Sequence, residues 1–227
     1  SFKGPFAKLV NKSNNSILSP FRLLRKLGLI SNFYSVTIIK NIPVFAGLGG
    51  GTANVATILK YLFKRKITRS LLNQVEDRVG SDLKLFFYNQ GFMKNLGLIT
   101  NIKKKHKLFF LLIQPSVKCS TKEIYSRVKN FSKKKRLEEN RIKTQSKFIS
   151  YLSKNSNDLQ SIVEKKYPII KELLINIGNE KGCYFSRMTG SGSVCYGLFN
   201  NQIKAKKALN NLKTKYPKFW SSLAKTV

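Results

Sequence analysis

"IPVFAGLGGGTANVATILKYL", residues 42–62, sets Gly47, Gly49, Gly50 and Gly51 around a single leucine and then runs straight into apolar helix formers. Glycines ahead of a helix do two physical things. They let main-chain N–H groups approach an anion with no Cβ in the way, and they aim the positive end of the helix dipole at it. The expected guest is a phosphate. A flexible linker fits poorly, because Val55, Ile58, Leu59 and Leu62 form one stripe of a helix running from about Thr52 to Lys64. Two familiar phosphate motifs are excluded. No Gly-Lys-Ser/Thr ending is present, and Thr52 stands where a dinucleotide fingerprint needs its third glycine.

Upstream of this loop, "FYSVTIIK" (33–40) is β-branched and predicts a strand ending at Lys40, and "NSILSPFRLLRKLGLI" (15–30) predicts a helix. Downstream, "SLLNQVEDRVG" (70–80) predicts a helix closed by a left-handed cap at Gly80, followed by Ser81, Asp82 and the apolar "LKLFFY". "KLFFLLIQP" (107–115) reads as a buried strand closed by proline. "SKKKRLEENRIKTQSK" (132–147) reads as a charged helix–loop in solvent. The last third predicts a helix near 168–177, a strand pair around "CYFSRMTGSGSVCYGLF" and a helix near 203–216. No internal repeat or long low-complexity linker interrupts the 227 residues, which are enough to bury a sizeable core.

Lys and Arg number 43 against 10 Asp and Glu, a formal net charge of +33. Such a field attracts phosphate in any form without choosing among nucleic acid, membrane and nucleotide. The lysines are spread along the whole chain, as a default surface residue would be, and no RNP, KH or zinc-knuckle pattern accompanies them. Cys119, Cys183 and Cys195 make no C-x-x-C pair, which fits a reducing compartment and no zinc site. The only histidine, His106, lies in "KKKHKL" and is expected to be a solvated loop residue. No apolar run reaches membrane-spanning length.

A second small-residue loop, "MTGSGSVCYGLF" (188–199), repeats the chemistry of the first: Gly190 and Gly192 free the backbone, and Thr189, Ser191 and Ser193 offer hydroxyls. "PVFAGLGGGTANVA" resembles the central ATP-binding motif of the GHMP kinase superfamily, and "MTGSGSVCYGLF" is similar to its C-terminal motif. Within that superfamily the resemblance is to the branch that phosphorylates 4-diphosphocytidyl-2-C-methyl-D-erythritol. It extends to "KGPF" (3–6), "GSDLKLFF" (80–87), "STKEIYSRV" (120–128) and "NDL" (157–159), and so covers nearly the whole chain.

The resemblance implies an α/β (α+β) two-domain GHMP kinase fold, with a ribosomal protein S5 domain 2-like ATP-binding half over residues 1–103. A ferredoxin-like, α/β-plait half would cover 104–227, with the ligands in a cleft between the halves. It implies ATP and Mg²⁺ as cofactors, and transfer of the γ-phosphoryl group to the 2-hydroxyl of the cytidine diphosphate-linked methylerythritol in the MEP route to isoprenoid precursors. Asp82 is the implied catalytic base, since an alcohol needs a carboxylate within reach to take its proton; a helix cap is the lesser alternative, and one residue can serve as both. Gly47, Leu48, Gly49, Gly50, Gly51, Thr52 and Ala53 would hold the phosphates, with the Thr52 hydroxyl reaching the magnesium; Asn15 and Lys40 fall where the family lines its adenine pocket. Gly190, Ser191 and Gly192 would meet the acceptor, with Tyr184 and Phe185 offered to its cytosine ring or to the core.

Several positions depart from the family pattern. Lys84 replaces a proline two residues after the base, and Asn54 stands where many members carry aspartate. The family's opening strand, with a lysine beside the catalytic aspartate and a following histidine for cytidine, finds no counterpart in "SFKGPFAKLV", so an N-terminal segment of the family pattern is expected to be missing here. A bacterial cytoplasm or plastid stroma, and a monomer or weak homodimer, complete the expectation. Two alternatives remain at this point: another small-molecule GHMP kinase, of the homoserine or mevalonate type, and an RNA-binding protein on an S5-like scaffold.

Overall fold

The computed structural model describes residues 1–226 apart from 12, 14, 65, 96–97, 133–136 and 138–141. Half of the charged stretch 132–147 predicted as a solvent helix–loop therefore lies outside the described residues. The chain divides into two compact units, Ser1–Val44 with Gly49–Lys103, and Phe45–Leu48 with Lys104–Val227.

In the first unit, strand β1 (Phe2–Lys3) pairs in parallel with β2 (Ile38–Ile39), Phe2 opposite Ile38. Helices α1 (Leu18–Lys26), α2 (Gly50–Phe63) and α3 (Arg69–Val79) follow, then a 3₁₀ turn at Leu83–Phe87 and the antiparallel hairpin of β3 (Gly91–Asn95) and β4 (Leu98–Asn101). Each helix turns an apolar stripe inward: Leu23 and Leu24 of α1, Val55, Ala56 and Leu59 of α2, and Leu71 and Val75 of α3 meet Leu83 in one core. Thr68 caps α3, its hydroxyl accepting the Leu71 N–H at 3.2 Å.

Two expectations are corrected here. Only Ile38 and Ile39 of the predicted 33–40 strand are extended and paired, because a strand needs a ladder partner and β1 supplies two residues. Phe33 instead lies under the Arg25 guanidinium at 4.1 Å and is exposed. Gly80 does end α3 with positive φ (115°), but its ψ of 153° sends the chain out extended rather than into a left-handed cap.

The second unit is built on a four-stranded antiparallel sheet of order β6-β7-β5-β8, with β5 at Phe109–Gln114, β6 at Cys183–Met188, β7 at Cys195–Phe199 and β8 at Trp220–Lys225. Helices α4 (Thr121–Ser126), α5 (Gln145–Ser153), α6 (Gln160–Lys166) and α7 (Pro168–Gly178) separate β5 from β6, and α8 (Gln202–Lys215) separates β7 from β8. This β-α-β-β-α-β order is the ferredoxin-like plait. Helix α7 covers β6 and β7, and α8 covers β5 and β8, so Leu111, Ile113, Leu173, Ile177, Phe199 and Ala208 share one core. Pro168 opens α7 at a position whose N–H needs no partner.

His106 is not the solvated loop residue expected. Lys105 and Lys107 on either side are exposed, but the imidazole is buried, its Nε2 2.8 Å from the Ile142 carbonyl oxygen and its ring stacked on Phe148 at 4.6 Å. Local alternation decides this: His106 and Leu108 turn inward while the lysines turn out.

Candidate active site

The glycine loop is divided between the two units. Phe45–Leu48 belongs to the second, where it docks on the loop that follows β6. The Phe45 carbonyl accepts from the Ser193 N–H (2.9 Å) and from the Gln114 amide (3.2 Å); the Ala46 carbonyl accepts from the Val194 N–H (3.2 Å) and the Thr189 hydroxyl (3.1 Å). Gly47 has φ of +68°, and a Cβ built on it would stand 2.5 Å from the Thr189 carbonyl oxygen. Gly190 is its counterpart, since a Cβ there would lie 3.1 Å from the Gly47 carbonyl oxygen. The two motifs chosen from the sequence are thus in contact through Gly47, Thr189 and Gly190. What excludes a side chain at Gly47 is the other loop's main chain.

Neighbouring side chains hold this second loop. The Asn157 amide donates to the carbonyls of Met188 (2.9 Å) and Gly190 (2.8 Å), and the Ser191 hydroxyl lies 2.9 Å from that of Thr121. Gly192 has room for no side chain, with Met188 Sδ 2.9 Å and Cys119 Sγ 3.1 Å from its ideal Cβ. Tyr184 and Phe185 lie toward the other end of β6; at about 3.3 Å per residue, Tyr184 is roughly 13 Å before Met188. Tyr184 is half exposed, whereas Phe185 is taken up by the Arg187 guanidinium (4.7 Å) and the edge of Tyr196 (6.1 Å).

The rest of the glycine loop belongs to the first unit and opens α2. Gly49 is its N-cap, in left-handed conformation, with Phe86 3.0 Å from the missing Cβ. Gly51 faces the Ser16 hydroxyl at 2.9 Å. Gly50 differs from both, since its Cβ would meet only the Lys40 ammonium, at an ordinary 3.7 Å. Ala53 makes the first intrahelical bond, to the Gly49 carbonyl (2.8 Å), which leaves the N–H groups of Gly50, Gly51 and Thr52 without helical acceptors. The Thr52 hydroxyl donates to the Val79 carbonyl (3.3 Å), tying the start of α2 to the end of α3, three residues before Asp82.

Asp82 sits at the N-cap of the 83–87 turn, but its side chain makes no capping bond and no ion pair among the described residues. Its carboxylate is exposed and uncommitted. Lys84, the departure from proline, pairs instead with Glu76 of α3, both largely buried.

Lys40 and Asn15 make different contacts. The Lys40 backbone is pinned by bonds to the Lys3 carbonyl (2.7 Å) and from the Phe6 N–H (3.2 Å), and its side chain runs to Gly50. Burial lowers its pKa below the usual lysine range. Asn15 lies just ahead of α1, its Oδ1 accepting the N–H groups of Ile17 (3.0 Å) and Leu18 (3.2 Å), and it borders a cavity of 610 Å³ with Phe2, Phe21, Tyr34 and Ile38. Lys40 does not line that cavity.

Sequence reasoning missed Gln114 and the part Asn157 plays. A polar residue closing the apolar "LFFLLI" run was the signal for the first. Nothing local could have announced the second.

Models of the GHMP kinases N terminal domain and GHMP kinases C terminal domain match residues 15–83 and 133–218. The fold resembles a crystal structure of 4-(cytidine 5'-diphospho)-2C-methyl-D-erythritol kinase at TM-score 0.68 and 20% identity, over 98% of this chain and 81% of that one. It also resembles homoserine kinase from Cytophaga hutchinsonii at TM-score 0.62 and 15% identity, over 100% of this chain and 82% of that one. These matches and the paired glycine loops define a GHMP kinase, an ATP-dependent small-molecule kinase with an S5-like N-terminal half and a plait-like C-terminal half. The 4-diphosphocytidyl-2-C-methyl-D-erythritol kinase of Pelagibacter ubique is 32% identical over 232 residues, covering 100% of this chain and 81% of its own length. That of Wolbachia sp. subsp. Brugia malayi is 30% identical, covering 94% and 75%. The chain belongs to the 4-diphosphocytidyl-2-C-methyl-D-erythritol kinase family. No helix among the described residues is long and apolar enough to cross a membrane.

Proposed function

We propose that this chain transfers the γ-phosphoryl group of ATP to the 2-hydroxyl of 4-diphosphocytidyl-2-C-methyl-D-erythritol, releasing ADP and the 2-phosphate. The observation that carries the reading is the combination at the start of α2. Three N–H groups without helical acceptors and the Lys40 ammonium lie beside a helix whose first turn is tied to the segment bearing an uncommitted Asp82.

The loop from Gly47 to Ala53 holds the β- and γ-phosphates, with Gly50, Gly51 and Thr52 donating from the main chain. Asp82 takes the proton of the acceptor hydroxyl as its oxygen bonds to phosphorus and the bond from the γ-phosphorus to the bridging oxygen breaks. The Thr52 hydroxyl, whose hydrogen goes to Val79, retains lone pairs and would hold a magnesium ion carried by ATP, which would neutralise charge at the phosphate oxygens. Of the three second-loop candidates for the cytidine diphosphate arm, Gly190 is exposed, whereas Ser191 and Gly192 are buried and the Ser191 hydroxyl is engaged by Thr121, so Gly190 is the one offered to it. Of the two aromatic candidates Tyr184 keeps an exposed ring for stacking, while Phe185 is taken up by Arg187 and Tyr196. The bacterial source of the named relatives supports a cytoplasmic reaction in the MEP route to isoprenoid precursors.

The test is transfer of labelled γ-phosphate from Mg-ATP to the cytidylated acceptor, with homoserine and mevalonate as comparison alcohols. Asp82→Asn is expected to lower the rate by roughly 10²–10⁴. Equal rates for the parent and Asp82→Asn, or preference for either comparison alcohol, sink the reading.

A further inference from the structure

We propose that Gln114 is a positioning residue for the nucleotide loop: from the end of β5 its amide holds Phe45 in a left-handed conformation and so fixes the course of the loop that follows. The proposal rests on the kinase reading above. Gln114 acts through Phe45, without touching nucleotide.

Phe45 has φ of +55°, a region that bulky side chains rarely adopt and that must be imposed by surroundings. The Phe45 side chain is 51% exposed. What constrains the residue is its carbonyl, which accepts the Ser193 N–H at 2.9 Å and the Gln114 Nε2 at 3.2 Å. The same Nε2 donates to the Ser193 hydroxyl at 3.1 Å, and that hydroxyl donates to the Val117 carbonyl at 3.0 Å. Both amide hydrogens of Gln114 are therefore spent on one task.

The anchor behind this amide is rigid. Gln114 is buried and lies opposite Trp220 at the end of β5, a central strand flanked by β7 and β8. Every other residue of that strand is apolar, so an amide here is the exception the sheet does not need for packing. Two residues beyond Phe45, Gly47 must keep its own φ of +68° against the Thr189 carbonyl. A Phe45 released to φ < 0 would redirect the chain just ahead of the main-chain N–H groups that are to meet phosphate.

Steady-state kinetics at varied ATP on the full chain test this with Gln114→Met, Phe45→Asn and the two combined, since asparagine tolerates the left-handed region. Gln114→Met is expected to lower kcat/KM for ATP roughly tenfold, and Phe45→Asn in the same chain to restore most of it. Phe45→Asn alone should stay close to the parent. Gln114→Glu, of the same shape, replaces the donor with an acceptor. Its activity relative to the parent is expected to rise as pH falls and the carboxyl regains a hydrogen to donate. Full activity in Gln114→Met, or a loss that follows Tm and is not restored by Phe45→Asn, overturns the proposal alone. Absence of phosphoryl transfer by the parent overturns the kinase reading and the proposal with it.

Discussion

Gly47 and Thr189, far apart in sequence, are packed main chain against main chain, with 2.5 Å between the Thr189 carbonyl oxygen and the place where a Gly47 side chain would begin. Substituting Gly47→Ala forces an L-residue into φ of +68° and onto a carbonyl that is itself an element of the second loop. The left-handed conformation alone costs about 1–2 kcal/mol. Thermal unfolding without ligand is expected to show a Tm lower by at least about 2–4 °C. An unchanged Tm means that the loops separate freely.

Lys40 gives a different kind of prediction, because its ammonium stands half-buried at the positive end of α2 with no carboxylate partner among the described residues. A helix N-terminus repels a cation, and burial lowers this lysine's pKa, so an anion beside it relieves both. Lys40→Met is therefore expected to weaken ATP binding roughly tenfold, ADP less, and AMP and adenosine hardly at all, as read by calorimetric titration. Equal losses for all four ligands would place Lys40 on the adenine instead.

Helices α1, α2, α3, α7 and α8 and strands β5, β6 and β7 were legible because their signals are local, whereas the short helices α4, α5 and α6 were not anticipated. The apolar stripe of α2 and the apolar run of β5 closed by Pro115 each act within a few residues of the side chains that carry them. The 33–40 strand failed for the opposite reason, since β-branched residues state a preference that only a partner strand can satisfy, and β1 offers two residues. His106 was misjudged because its lysine neighbours are on the surface while its ring stacks on Phe148, distant in sequence. At the site, the residue types that bind phosphate were visible, but not their division of labour. Gly47 and Gly190 face each other, Gly49 and Gly51 face Phe86 and Ser16, and each of those contacts depends on the fold.

The pairing of Lys84 with Glu76 accommodates the departure from proline after Asp82. Both side chains are largely buried, and Glu76 Oε1 has no hydrogen-bond partner among the described residues. Glu76→Gln leaves the ammonium uncompensated and is expected to cost about 3–5 kcal/mol in denaturant unfolding. The double variant Glu76→Leu with Lys84→Met removes both charges and should recover most of that loss. If the single variant is as stable as the parent, the pair plays no part in holding the segment that bears Asp82.

Gly50 separates the two explanations for a glycine-rich loop. At Gly47, Gly49 and Gly51 the protein itself occupies the space a side chain would need, so substitutions there damage the fold whether or not a ligand ever binds. Gly50 has no positive φ and meets only the flexible end of Lys40 at 3.7 Å, so Gly50→Ala fits the free protein and replaces a weak helix former with a strong one. Its Tm is expected to equal or slightly exceed the parent's. A phosphate held by the N–H groups of Gly50, Gly51 and Thr52 needs the surface that the new methyl group covers, and ATP affinity should fall at least roughly tenfold. Unaltered affinity in a fully folded Gly50→Ala variant would mean that these glycines serve packing alone, and the phosphate would have to be sought elsewhere on the chain.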